Sequence, residues 1–153
     1  MYFKLRKDAK NWFSDISKSF SIDFDIYYFC LMAGFAEGRL ERDGGDKSSD
    51  LVDYFPGEYR SRGDLLLAQL IRQELRRFKI KLDNQSGVRK KIGELILAKS
   101  PSCLTDEGVK LMNAYASGGY EVLLEYFDDR PRTVETFIRN YHKCLNKIVN
   151  KSN

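Results

Sequence analysis

The sequence predicts a mostly α protein: one compact helical domain over residues 1–153 that opens on a single short strand. Three observations carry this. Apolar residues recur at three- and four-residue spacing along most of the chain. Only Tyr2–Arg6 alternates convincingly, with Phe3 and Leu5 on one side and Tyr2, Lys4 and Arg6 on the other. Turn residues such as Gly44-Gly45, Pro56-Gly57 and Ser100-Pro101-Ser102 punctuate the chain at helix-sized intervals. Hydrophobic residues make up 42% and aromatic residues 13%, enough to build a core and too much for a disordered chain. Residues 1–42 and 51–150 can be read as sub-units of the one domain.

The strand Tyr2–Arg6 has no obvious partner in the chain, and a lone strand leaves backbone groups unpaired. A symmetric copy is the simplest supplier, so a homo-oligomer is expected. Asp8 can cap a helix carrying Trp12, Phe13, Ile16 and Phe20. Ser21 or Asp23 can cap a second, from Phe24 to about Glu41, whose first half is apolar nearly all round. Such a helix is central to a core, or its outer side meets another subunit. Asp43–Ser49 reads as a loop, and Leu51–Phe55 as a short apolar piece stopped by Pro56-Gly57.

Gly63–Phe78 reads as a helix with Leu67, Ala68, Ile71, Leu75 and Phe78 spread over about 100° of its circumference. Arg72, Arg76 and Lys79 occupy the neighbouring face. Ser86 can cap a helix from Gly87 to Lys99, with Val88, Ile92, Leu95 and Ile96 as its stripe. Arg89, Lys90 and Lys91 fall in its first turns, where cations oppose the helix dipole at a cost of a few tenths of a kcal/mol. Thr105-Asp106-Glu107 starts the next helix, and Ser117-Gly118-Gly119 is expected to break it before a short helix, Tyr120–Phe127. The last helix, from Arg132 to about Asn150, carries one stripe: Val134, Phe137, Ile138, Tyr141, Leu145 and Ile148.

Charge is concentrated. Arg60 to Lys91 holds ten of the 26 basic residues and three acids, Asp64, Glu74 and Asp83. That stretch carries +7 in a chain of net charge +4, so the remainder is mildly acidic. Positive charge opening a helix against its dipole suggests that the charge serves something besides folding. Arg72, Arg76, Lys79, Arg89, Lys90 and Lys91 are therefore candidate phosphate contacts, with Lys4 and Arg6 on the strand as a second patch. A solvated face, whose long stems cover apolar neighbours, is the plain alternative.

Catalytic signatures are few. No phosphate-binding glycine loop and no nucleophile-elbow motif occurs. His142 is the single histidine, and the three cysteines are widely spaced, so no zinc site, catalytic residue or cofactor is assigned. Cys30 and Cys144 read as small core hydrophobes, which fits a reducing cytoplasm. The start of the chain does not read as a signal peptide, and the apolar run Ile26–Ala36 is too short to span a membrane. Glu37 with Glu41, and Glu121 with Glu125, have helical i,i+4 spacing and are the weak candidates for a metal-dependent nuclease.

The opening pattern is a basic-faced strand (Tyr2-Phe3-Lys4-Leu5-Arg6-Lys7), a helix (Lys10-Asn11-Trp12-Phe13 to Phe20), then an apolar helix (Phe24 to Arg39). It resembles a ribbon-helix-helix arrangement and is similar to the small DndE-type proteins of bacterial DNA phosphorothioation systems. The likeness covers about a quarter of the chain. It implies binding to duplex or nicked DNA, as an oligomer, within a DNA-modification or phage-defence cluster. The resulting expectation is a non-enzymatic DNA-binding accessory protein that contacts phosphates through a basic helix and associates with other subunits of a defence complex. Two other classes compete with it: a helical adaptor docking on an acidic surface of an ATPase or nuclease subunit, and a small nicking nuclease using Glu37 or Glu41.

Overall fold

The computed structural model describes residues 1–42 and 47–151. The loop expected at Asp43–Ser49 lies partly outside the described residues, and its last part forms a strand instead. The chain is mostly α, with a two-stranded antiparallel sheet near the N-terminus.

Strand β1 (Lys4–Arg6) pairs with β2 (Ser48–Asp50), Leu5 opposite Ser49. Backbone bonds continue the pairing from Phe3 to Val52 and from Leu51 to Phe3, both 2.8 Å. The Lys4 amide, on the other edge, donates to Asn113 Oδ1 at 3.0 Å. The strand therefore finds its partner within the chain, and the edge expected to recruit a second copy is already occupied. Polar Ser48-Ser49-Asp50 gives no strand alternation, which hides β2 from a pattern reading. Phe3 and Leu5 are buried as expected.

Helix α1 spans only Lys7–Trp12; a turn and a 3₁₀ segment, Ser17–Ser19, replace the rest of the expected helix. Serine hydroxyls compete there for backbone groups, and Ser17 Oγ donates to the Ser14 carbonyl at 3.1 Å. Phe13 and Ile16 remain buried, so the apolar spacing serves the core without a continuous helix.

Helix α2 (Asp23–Glu37) is the centre of the molecule and packs chiefly on α5 (Asp106–Tyr126). It ends at Gly38, whose φ of 70° is the left-handed closure that glycine accepts without penalty. Glu41 therefore lies past the helix and does not share a face with Glu37. The apolar run of α2 is covered within the chain: Ile26, Tyr27, Cys30, Leu31 and Phe35 are buried, Tyr28 stacks near Tyr59, and Phe29 meets Phe137 edge-on at 5.0 Å.

Helix α5 runs unbroken through Ser117-Gly118-Gly119. These residues form the crossing with α2. A Cβ on Gly119 would collide with the Cys30 carbonyl, one on Gly118 with the Arg39 carbonyl, and one on Gly34 with that of Tyr115. The glycines permit backbone-to-backbone contact instead of ending the helix. The last helix, α6 (Val134–Lys151), buries Phe137, Tyr141, Cys144 and Ile148, while Ile138 faces outward. Tyr141 Oη donates to the Phe29 carbonyl at 2.7 Å, which ties α6 to α2.

Candidate functional site

The basic stretch forms α3 (Tyr59–Arg77) and α4 (Gln85–Leu95), joined by a short turn. The face of α3 that enters the core only partly overlaps the expected one. Tyr59, Gly63, Leu66, Leu70 and Glu74 are buried, along with Leu67 and Leu75 at its margin. This face lies about 100° round the helix from the predicted stripe. A buried carboxylate explains the shift. Glu74 accepts two bonds from Arg77, at 2.7 and 2.8 Å, and one from Tyr115 Oη at 2.9 Å. With its charge met it can lie in the core, yet in sequence it marks that side as polar.

The predicted stripe is thus split: Leu67 and Leu75 are buried, Ile71 is half-buried, and Ala68 and Phe78 are exposed. Ala68, Ile71 and Leu75 form the floor of an open groove of about 510 Å³, completed by Ile80 and Leu82. Arg72 and Arg76 line the same groove. Leu82 is 80% exposed and Phe78 51%. Arg72, Arg76 and Lys79 are exposed and make no ion pair among the described residues.

The end of α3 fixes this shape. The Lys79 amide donates to the Arg76 carbonyl (3.0 Å) and the Ile80 amide to that of Leu75 (2.8 Å), the bonding of a Schellman closure. Its left-handed residue is Lys79, with φ of 56°, a place usually taken by glycine. The closure turns Ile80 back onto Leu75 and extends the groove.

Helix α4 is capped by Asn84 rather than Ser86: Asn84 Oδ1 accepts from the Gly87 amide at 3.1 Å. The helix stops at Leu95, and of the expected stripe Leu95 alone is buried; Ile92 is exposed. Lys91 Nζ sits 3.8 Å above the Phe78 ring and pairs with Glu94 at 2.9 Å, and the Arg77 guanidinium lies 4.4 Å from the same ring. Phe78, expected in the core, thus serves as a cation-covered joint between α3 and α4. Arg89 and Lys90 are exposed without ion pairs among the described residues. Successive helical positions fan Arg89, Lys90 and Lys91 around α4, so they do not form one plane.

Lys4 and Arg6 are engaged elsewhere. Lys4 lies 3.6 Å from Asp50. Arg6 bonds Asp8 and Glu121, each at 2.5 Å, and its guanidinium lies 4.9 Å from the Tyr120 ring centre. Burial disfavours the Arg6 charge, but the two carboxylates outweigh it and hold its pKa above the usual value. Of the eight candidate cations, the structure brings Arg72 and Arg76 together, with Lys79 in the closing turn. In sequence the groove shows only in separate pieces: Ala68, Ile71 and Leu75 in the predicted stripe, and Ile80 and Leu82 beyond the helix.

The candidate metal carboxylates hold cations. Glu37 is 3.4 Å from Lys151, Glu41 is 3.1 Å from Arg39, Glu121 holds Arg6, and Glu125 is 2.6 Å from Arg39. Among the described residues no group of three or more His, Cys, Asp or Glu could hold a metal ion. His142 is exposed, its Nε2 3.1 Å from the Asn146 amide nitrogen. Among the described residues no helix is long and apolar enough to cross a membrane.

No protein family model, no curated protein and no solved structure matches the chain.

Proposed function

We propose that this chain is a non-enzymatic DNA-binding accessory protein, contacting phosphates through the exposed edge of α3. One observation carries the reading: Arg72 and Arg76 stand one helical turn apart, exposed and unmatched by any described acid, with Lys79 beyond them. Like charges at this spacing repel mildly, and an anion between them reverses the sign. Guanidinium groups suit phosphate because their forked donors match its oxygens. The resemblance of residues 1–40 to DndE-type proteins supports a place in a bacterial DNA-modification or phage-defence system, with duplex or nicked DNA as the ligand.

The test is a salt titration of binding to duplex, nicked and single-stranded DNA. Each phosphate contact releases counterions, so affinity falls steeply with salt. Replacing Arg72 and Arg76 together with Ala lowers affinity for all sequences alike and reduces the salt slope by about two units. Both residues lie off the buried face, so the fold is retained. An unchanged slope and affinity in the double variant would overturn the assignment.

A further inference from the structure

We infer that the groove between α3 and the Ile80–Leu82 turn is a docking site for an acidic amphipathic helix of a partner protein. The inference goes beyond DNA binding, because it adds the apolar floor to the two cations, and a partner helix held there would compete with DNA for Arg72 and Arg76. Ala68, Ile71 and Leu75 follow the three- and four-residue ladder of α3, and Leu82 closes the groove while itself 80% exposed. Apolar side chains gathered in a concave surface mark a binding site far more often than scattered ones do. From Ala68 to Arg76 the ladder rises about 12 Å, which matches a visiting helix of two to three turns laid along it.

Charge decides the occupant. Arg72 and Arg76 stand on the groove itself, both without an acid partner among the described residues. A partner helix with leucines on one face and Glu or Asp beside them fills the floor and neutralises both arginines. A duplex backbone would neutralise the arginines but offers nothing apolar to the floor. A second copy docked groove-to-groove about a two-fold axis would set Arg72 and Arg76 against their own equivalents. The acidic helix satisfies both halves of the site.

The experiment uses the full chain and a fluorescein-labelled, stapled helical peptide of about 14 residues, with Leu at i, i+3, i+4 and i+7 and Glu at the flanking positions. A sister peptide carries Lys in place of each Glu. Anisotropy titrations are expected to show the Glu peptide binding at least about ten-fold tighter than the Lys peptide, with the gap narrowing at high salt. Leu82→Ser should weaken it about five-fold or more, and Ala68→Glu, which places a carboxylate on the floor, should abolish it. Both sites are exposed, so neither change threatens the fold. Leu82→Ser should leave DNA affinity and its salt slope untouched, which separates this site from the phosphate-binding reading. Three results would overturn the proposal. The first is equal binding, or none, of the two peptides. The second is a homodimer in sedimentation that Ala68→Glu dissociates, which gives the groove to a second copy. The third is a loss of DNA affinity in Leu82→Ser, which gives it to nucleic acid.

Discussion

Gly119 of α5 rests directly on the carbonyl oxygen of Cys30 in α2, with no room for a methyl group between them. The neighbours at this crossing are backbone atoms, which cannot swing aside as a side chain could. Gly119→Ala is expected to destabilise the protein by about 3 kcal/mol, the upper range for overpacking a core. Gly34→Ala, aimed at the Tyr115 carbonyl, should cost a similar amount. Gly93 in α4 is the control: a Cβ there meets nothing within 4 Å. Gly93→Ala should stabilise by roughly 0.5–1 kcal/mol through reduced chain entropy. Urea midpoints of the three variants check this.

Arg76 and Arg77 are neighbours in sequence with opposite roles. Arg77 answers the carboxylate of Glu74, whose side chain is 1% exposed. Arg77→Ala leaves that carboxylate with Tyr115 as its remaining described partner and should cost about 2 kcal/mol, below the full penalty of a stranded buried charge because Arg77 itself is partly solvated. Arg76→Ala should change stability by no more than about 0.5 kcal/mol. Thermal melts distinguish the two. Equal effects would mean that Glu74 draws little from Arg77.

These residues also show what the sequence could and could not reveal. Stripes with one chemical character were legible: Phe137, Tyr141 and Ile148 in α6, Phe3 and Leu5 in β1, and Cys30 and Cys144 in the core. Elements whose meaning depends on a distant partner were not. Glu74 looks like a surface acid until Arg77 and Tyr115 meet it, and its presence misplaced the buried face of α3 by about a quarter turn. Gly118-Gly119 has the composition of a helix break and the function of a helix crossing; only the facing backbone of α2 distinguishes the two. Strand β2 is made of Ser48, Ser49 and Asp50, and its identity rests wholly on β1 across the ladder. The basic block was visible as a charge count. The groove was not, because it exists only once the closure of α3 folds Ile80 and Leu82 back beside Ala68, Ile71 and Leu75.

Asp8 gives the acid limb of stability a specific contributor. Burial works against its charge, but the Arg6 hydrogen bond and charge, together with the bond from the Ala9 amide, outweigh it, and its pKa falls below the usual value. A carboxyl whose folded pKa is depressed contributes stability that is full above its unfolded value, about 3.9, and disappears as pH falls through the folded value. Asp8→Asn should therefore lower stability at pH 6 and flatten its decline below about pH 4. Chemical denaturation at a series of pH values tests it; a variant that keeps the parental slope at low pH would show that Asp8 contributes nothing.

The three thiols should separate cleanly in native labelling. Cys103 is exposed in a left-handed turn with φ of 61°. Cys30 and Cys144 are buried, and burial pushes their pKa values up to about 12 and about 11. A maleimide at pH 7.5 should modify one thiol per chain rapidly and the other two only after unfolding. Mass spectrometry that finds Cys30 modified in the native protein would contradict the packing of α2 on α5.

Lys79 joins stability to binding at one position. With φ of 56° it occupies the left-handed residue of the closure that ends α3, where a side chain costs about 1 kcal/mol relative to glycine. Its charge sits at a helix C-terminus, where a cation gains a few tenths of a kcal/mol from the dipole. Lys79→Gly and Lys79→Ala both remove that charge, but only glycine relieves the backbone. The two variants should thus differ in stability by about 1 kcal/mol, glycine the higher, and agree in DNA affinity. If Lys79 contacts a phosphate, both should show the salt slope reduced by about one unit. Affinities that follow stability instead of charge would mean that the closure, not the ammonium group, is what binding requires. Parental affinity in both would remove Lys79 from the interface and leave Arg72 and Arg76 to carry it.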